Sequence, residues 1–223
     1  MACRPSSASA SRPGTGRVDA AMTALDTPQL LAIAAALGWA SGLRLYAVLF
    51  LTGAAGALGW VELPHGLRLL QHPLMLGASG LMVAVEFFAD KIPGVDSLWD
   101  VLHTLLRIPA GAALAAAVFG ADQATWAAIA ALLGGGLAAS SHVAKATTRA
   151  AVNTSPEPFS NIGLSLLGDG LVPAVLWLSW THPLALGAFL VLALVVSAVL
   201  VWMLAKFLRA LVRRFGPKRG GVA

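Results

Sequence analysis

Six stretches of this chain are too apolar and too long to be carried on a water-soluble fold. They are Gln29–Trp60, Pro73–Phe88, Ser97–Phe119, Thr125–Ser141, Ile162–Trp180 and Pro183–Leu208. A bilayer crossing needs about 20 mostly apolar residues. A backbone in hydrocarbon must also satisfy its own hydrogen bonds, which leaves helices as the way for such runs to cross. Charged residues make up 11% of the 223 residues, against about 25% in an ordinary soluble domain, and mean hydropathy is +0.79. These values exclude a soluble globule, and the high hydrophobicity excludes a disordered chain. The expected fold class is all-α, a polytopic membrane bundle of about six transmembrane helices.

The runs differ in quality. Gln29–Trp60 is too long for one simple helix and carries Arg44 deep inside it, after Ala40-Ser41-Gly42-Leu43. A break is expected there, so this segment is a candidate for re-entry. Ser97–Phe119 is polar in its first half and is a second such candidate. Ile162–Trp180 holds Asp169 and Pro173, while Pro183–Leu208 is the cleanest span. Residues 1–28 read as a disordered tail with no apolar signal-peptide core. Residues 209–223 read as a basic tail.

The net charge of +5 belongs to the ends. Between residues 30 and 205 the bases are Arg44, Arg68, Lys91, Arg107, Lys145 and Arg149. The acids there are Glu62, Glu86, Asp90, Asp96, Asp100, Asp122, Glu157 and Asp169, a balance of −2. A nucleic-acid partner would need a basic face on a folded domain, and no such face exists. The positive-inside rule instead places both termini in the cytoplasm, with the tracts 89–100 and 142–160 on the same side. The expected location is the cytoplasmic membrane of a bacterium. The basic C-terminus is expected to meet anionic lipid headgroups. Cys3 is the lone cysteine, so no intrachain disulfide or thiolate metal site can form. No catalytic, nucleotide-binding or metal motif appears, so neither an enzyme nor a cofactor is expected.

An internal echo suggests two related halves, 29–120 and 121–208. His72-Pro73-Leu74-Met75-Leu76-Gly77-Ala78 returns as His182-Pro183-Leu184-Ala185-Leu186-Gly187-Ala188. Leu31–Gly38 resembles Ala127–Gly134, and each copy then reaches an Ala-Ser pair. Transporters are often built from such repeats, with broken helices and a site at the repeat interface. Small residues four apart, such as Gly38 and Gly42 or Ala130, Gly134 and Ala138, allow close helix packing. They fit bundle packing better than a dedicated dimer face and leave a homo-oligomer open.

The ionisable residues inside the apolar region are the candidate site. Glu86 and Asp90 are four apart and share a helix face, with Lys91 next to them. Pro93-Gly94 then ends that helix. Asp96, Asp100, His103 and Arg107 fall on one stripe of the following helix, with the acids in its first turns, where the dipole favours them. His142, Lys145, Arg149 and Asn153 line a third face. Arg44 and Asp169 lie within apolar runs. One stripe is acidic and another basic, so pairing across a polar cavity is expected. Three readings follow from this pattern. The charges form a structural clasp, or a polar pathway coupled to an ion or proton, or a hard divalent-cation site made by the carboxylates.

Ala40-Ser41-Gly42-Leu43-Arg44-Leu45-Tyr46, the tract Glu86-Phe87-Phe88-Ala89-Asp90-Lys91-Ile92-Pro93-Gly94-Val95-Asp96, then Asp100, His103-Thr104, Arg107-Ile108-Pro109 and His142–Arg149, resemble one bacterial multi-pass membrane family. It is known only as domain of unknown function 4126, and the resemblance covers roughly residues 30–205. It implies an integral membrane protein and transfers no activity. The family often has Asn at the position of Arg44 and an acidic pair where Gly168-Asp169 has one acid.

Overall fold

The structure is a computed structural model. It describes residues 25–90, 92, 95–152 and 158–215, without the side chains of 96, 97, 158, 161, 208 and 210–215. Lys91, Asn153 and the tail over 1–24 therefore lie outside the described residues, as does the side chain of Asp96. The described elements are helices and two short 3-10 segments, His65–Gln71 and Ala121–Gln123. The helices are α1 (Thr27–Ala57), α2 (Pro73–Ala89), α3 (Val95–Phe119), α4 (Ala124–Val152), α5 (Pro158–Thr181) and α6 (Pro183–Phe215). Five of them are long and apolar enough to cross a membrane. The bent pair His65–Gln71 and Pro73–Ala89, at 70° to each other, would make a sixth.

The helix starts follow local chemistry. The Gln29 amide donates to Asp26 Oδ1 at 2.9 Å, capping α1 ahead of Pro28. The two echoing His-Pro pairs both open helices, α2 and α6, as proline at a first helical position should. The outside of the bundle is greasy. Leu105, Leu132 and Leu184 are 80%, 81% and 90% exposed, whereas Arg107 and Asp90 are fully buried. That inversion suits a lipid solvent, where apolar side chains face outward without cost. α1 is the buried centre and α6 the apolar periphery.

α1 does not run straight. Arg44 alone leaves helical geometry, at φ −147° and ψ 90°. A straight helix would separate Leu30 from Gly56 by about 39 Å at 1.5 Å per residue. Instead both line one basin, together with Phe119 and Asp122. The first half descends with Gln29 Nε2 donating to the Trp180 carbonyl at 3.1 Å and Gly38 packed on Gly134. The second half returns, with Gly53 on Leu70 and Gly56 on Leu63 and Gln71. Gly66 in turn rests on Ala117, near the end of α3. α1 is thus a helical hairpin with Arg44 at its tip.

The described chain begins at the basin end and, after α2 to α6, finishes at the opposite end of the bundle. The expectation of both termini on one side counted Gln29–Trp60 as one straight crossing, whereas this run folds back at Arg44. The basic tract 142–149 is helical, as its shared face suggested, because α4 continues through it to Val152. The hydropathy run ends at Ser141, but the helix persists because its polar face finds buried partners.

Small residues set the central spacing. A Cβ on Gly38 would lie 2.5 Å from the Gly134 Cα and 2.7 Å from its carbonyl oxygen. A Cβ on Gly111 would lie 2.7 Å from the Ala138 Cβ. Helices α1, α3 and α4 therefore meet backbone to backbone, the approach that small residues permit in lipid.

Candidate functional site

The hairpin tip carries a defect that its neighbours repair. A helix end leaves carbonyls without intrahelical donors. Here Lys145 Nζ donates to the Leu43 carbonyl at 3.1 Å, and Ser141 Oγ to that of Trp39 at 2.6 Å. Both donors come from α4. Arg44 then reaches α5, donating to Ser165 Oγ at 2.9 Å and to its carbonyl at 3.2 Å.

Around this tip the structure gathers four acids and four bases. Arg44 pairs with Asp90 at 3.0 Å and with Asp169 at 2.9 Å. Lys145 pairs with Asp90 at 3.3 Å and Asp100 at 3.1 Å. Arg149 lies 3.3 Å from Asp90 and 3.7 Å from Asp100. Arg107 bridges Glu86 at 2.7 Å and Asp100 at 2.6 Å. Charges alternate throughout, and the eight formal charges cancel. Isolated ions at this depth would cost far more than any single contact returns; paired and hydrogen-bonded ones are tolerated.

Asp90 is the hub. Its Oδ2 meets Arg44, Lys145 and Arg149, one cation from each of α1 and two turns of α4. It caps the C-terminus of α2, where the helix dipole disfavours an anion. Three surrounding cations offset that placement. Glu86, one turn earlier, has Arg107 as its ion partner among the described residues, while its Oε2 has no hydrogen-bond donor.

Two histidines flank the network. His103 Nδ1 lies 2.9 Å from the Trp99 carbonyl, which can only accept, so that nitrogen carries a proton. In the neutral ring, Nε2 then accepts from the Tyr46 hydroxyl at 3.2 Å. Thr104 spends its hydroxyl proton on the Asp100 carbonyl at 2.8 Å. It therefore accepts from His142 Nε2, 2.8 Å away, which fixes a proton there too.

Of the expected site residues, Arg44, Glu86, Asp90, Asp100, His103, Arg107, His142, Lys145, Arg149 and Asp169 converge. The carboxylates face protein cations rather than one another, and among the described residues no group of three or more metal-ligating side chains comes together. The divalent-cation reading therefore has no geometric basis there. The charged stripes read from the sequence left out Tyr46 and Thr104, which entered only through the family resemblance, and Ser165. Each had a signal. Ser165 stands four before Asp169, and Thr104 four after Asp100, on shared helix faces.

Three cavities border the cluster and its axis. A basin of about 800 Å³ opens at the far end, lined by Glu62, His65, Arg68 and Asp122. A cavity of about 310 Å³ lies between α1, α4, α5 and α6 and reaches Arg44, Lys145 and Arg149. A third, of about 230 Å³, is lined by Asp100, Thr104, His142 and Arg149. Arg149 borders both smaller cavities. The glycine seam and the core around Val48 and Leu114 lie between them and the basin.

A lipid-facing apolar exterior, a central helical hairpin and buried, mutually paired charges define a polytopic α-helical integral membrane protein. The chain belongs to the family described as Domain of unknown function (DUF4126), which matches residues 31–206. No curated protein and no solved structure matches it.

Proposed function

We propose that this protein is a small transporter or channel-like protein for an ion or small polar solute, closed in the present state by the ionic network at the hairpin tip. One observation carries the reading: the interruption of α1 at buried Arg44, with the freed Leu43 carbonyl held by Lys145. Broken helices at membrane depth are where transporters place exchangeable backbone partners. A solute arriving at the tip competes with these donors and with the Asp90 hub, and opening exchanges internal pairs for solute contacts. Cavities on two sides of Arg149 supply space for that exchange.

The repeat reading enters the same proposal. Residues 31–38 and 127–134 run in the same direction with Gly38 against Gly134, and the two His-Pro pairs start helices at one end. That supports halves 29–120 and 121–208 related by an axis along the membrane normal. We place the Lys206–Arg209 end in the cytoplasm of a bacterial cell, near anionic headgroups, since Arg68 is the sole Lys or Arg described at the basin end. We assign no enzymatic chemistry.

The second reading is a non-transporting scaffold in which the network is a clasp. It is favoured by the short, closed pairs of Arg107 at 2.6 and 2.7 Å. Flux of small ions and polar solutes into proteoliposomes decides between them, comparing Glu86→Gln and Asp90→Asn with wild type. Altered flux with retained folding is expected. Unchanged flux in both, with only a lower unfolding midpoint, leaves the clasp.

A further inference from the structure

A groove of about 580 Å³ lies between α4 and α6 on the lipid-facing side of the bundle. Its α6 wall runs from Leu194 to Ala205, and Ala139, Ser140 and Val143 form its α4 wall. At 1.5 Å per residue the α6 wall is about 17 Å long. That is about half of a hydrocarbon core of about 30 Å, the depth of one leaflet. The groove offers no hydroxyl donor. Ser140 Oγ donates to the Leu137 carbonyl at 2.8 Å and Ser197 Oγ to the Ala193 carbonyl at 2.7 Å, each within its own helix. What fits along it is hydrocarbon. The Ala205 end is different. The Lys206 ammonium stands 5.2 Å from the centre of the Trp202 ring, and Trp202 belongs to the groove wall. Arg209 Nε donates to the Ala205 carbonyl at 3.1 Å. Both bases are exposed and neither has an ion pair among the described residues. α6 itself contains no acid. Unlike the cations of the central network, these two are not neutralised.

We infer that this groove binds an anionic phospholipid, with one acyl chain along α6 and the phosphate at Lys206 and Arg209. The groove matches a chain of one leaflet in length and in its lack of polar demand. Charge complementarity at its end selects the headgroup, since bases at the membrane surface attract anionic lipid. A zwitterionic headgroup brings its own cation to the same two bases and gains less. A second copy of the chain is the poorer occupant. An isologous pair would bring two sets of Lys206 and Arg209 to the same end, with no acid on α6 to meet them. The inference rests on placing this end of α6 among the headgroups, which cysteine labelling reads separately, and it survives a negative flux result.

The test is equilibrium binding of radiolabelled phosphatidylglycerol to the purified full chain in neutral-detergent micelles, with empty micelles subtracted. One saturable site per chain is expected, for which phosphatidylcholine of the same acyl chains competes at least about tenfold more weakly. Glycerol 3-phosphate, a headgroup without a chain, should not compete. Lys206→Gln combined with Arg209→Gln should abolish the preference for the anionic lipid. Ala198→Phe, on the groove wall, should weaken phosphatidylglycerol binding by at least about tenfold, a loss of about 1.4 kcal/mol. Leu184→Phe, at the other end of α6, should leave it unchanged. The glutamine pair, on exposed positions, decides the matter if Ala198→Phe fails to fold. Absence of a saturable component overturns the inference. So does equal competition by phosphatidylcholine, or a preference that persists in the glutamine pair, since either shows that the two bases are not read. Competition by glycerol 3-phosphate overturns the role of the chain. A dimer seen by light scattering that Ala198→Phe dissociates, without lipid binding, would assign the groove to a second copy instead.

Discussion

Arg107→Met isolates the energetics of the buried network. Arg107 is fully buried and its two ends hold different acids, Asp100 at 2.6 Å and Glu86 at 2.7 Å. Methionine keeps much of the volume and removes the charge. Asp100 then retains Lys145 and Arg149, whereas Glu86, 1% exposed, loses its ion partner among the described residues. Breaking a buried pair from one side costs about 3–5 kcal/mol, because the remaining charge is stranded. Glu86→Gln is milder, since Arg107 keeps Asp100; it forfeits one charge-assisted bond, about 1.5–3 kcal/mol. Combining Arg107→Met with Glu86→Gln removes the stranded charge. The double variant should therefore recover about 2 kcal/mol relative to Arg107→Met, within the range of couplings measured for touching residues. Equilibrium unfolding in mixed micelles gives all three values. The reasoning fails if Arg107→Met lies within about 1 kcal/mol of wild type, or if the double variant costs the sum of the singles, since either means the pair is hydrated rather than buried.

Glycine substitutions separate the seam from the surface. Gly38→Ala drives a Cβ onto Gly134 backbone and should destabilise by about 1–3 kcal/mol. Gly77→Ala in α2 meets nothing within 4 Å and should stabilise by about 0.5–1 kcal/mol. The same unfolding titration reads both, and equal effects would contradict the close helix contact. Topology is checked by labelling single cysteines in a Cys3→Ser background with an impermeant maleimide. Thr27→Cys and Glu62→Cys, both exposed at the basin end, should react from one side of the membrane, and Arg209→Cys from the other. Reaction of Thr27→Cys from the Arg209 side would mean that α1 crosses after all.

Hydropathy along the chain was enough to give the solvent, the helical class and most helix boundaries. A bilayer imposes a length of about 20 apolar residues on each span, and a run of that kind is a property of the segment itself. The charged stripes were legible for the same reason. Residues three and four apart share a helix face wherever that helix sits, so Asp100, His103 and Arg107 belonged together before any packing was known. The break near Arg44 was also visible, as a charge within an overlong run. Which way the chain turned there was not. The reversal depends on Lys145, about a hundred residues away, replacing a missing helix bond at the Leu43 carbonyl, with Ser141 adding a bond to the Trp39 carbonyl one turn earlier. Pairing was likewise undecided, because four acids and four bases admit many arrangements. The choice of Asp90 as the meeting point of three cations follows from backbones brought together by Gly38, Gly111 and Gly134. Local sequence fixes what each helix presents to its surroundings; only contact between distant helices fixes what receives it, since electrostatic energy depends on separation and burial rather than on order along the chain.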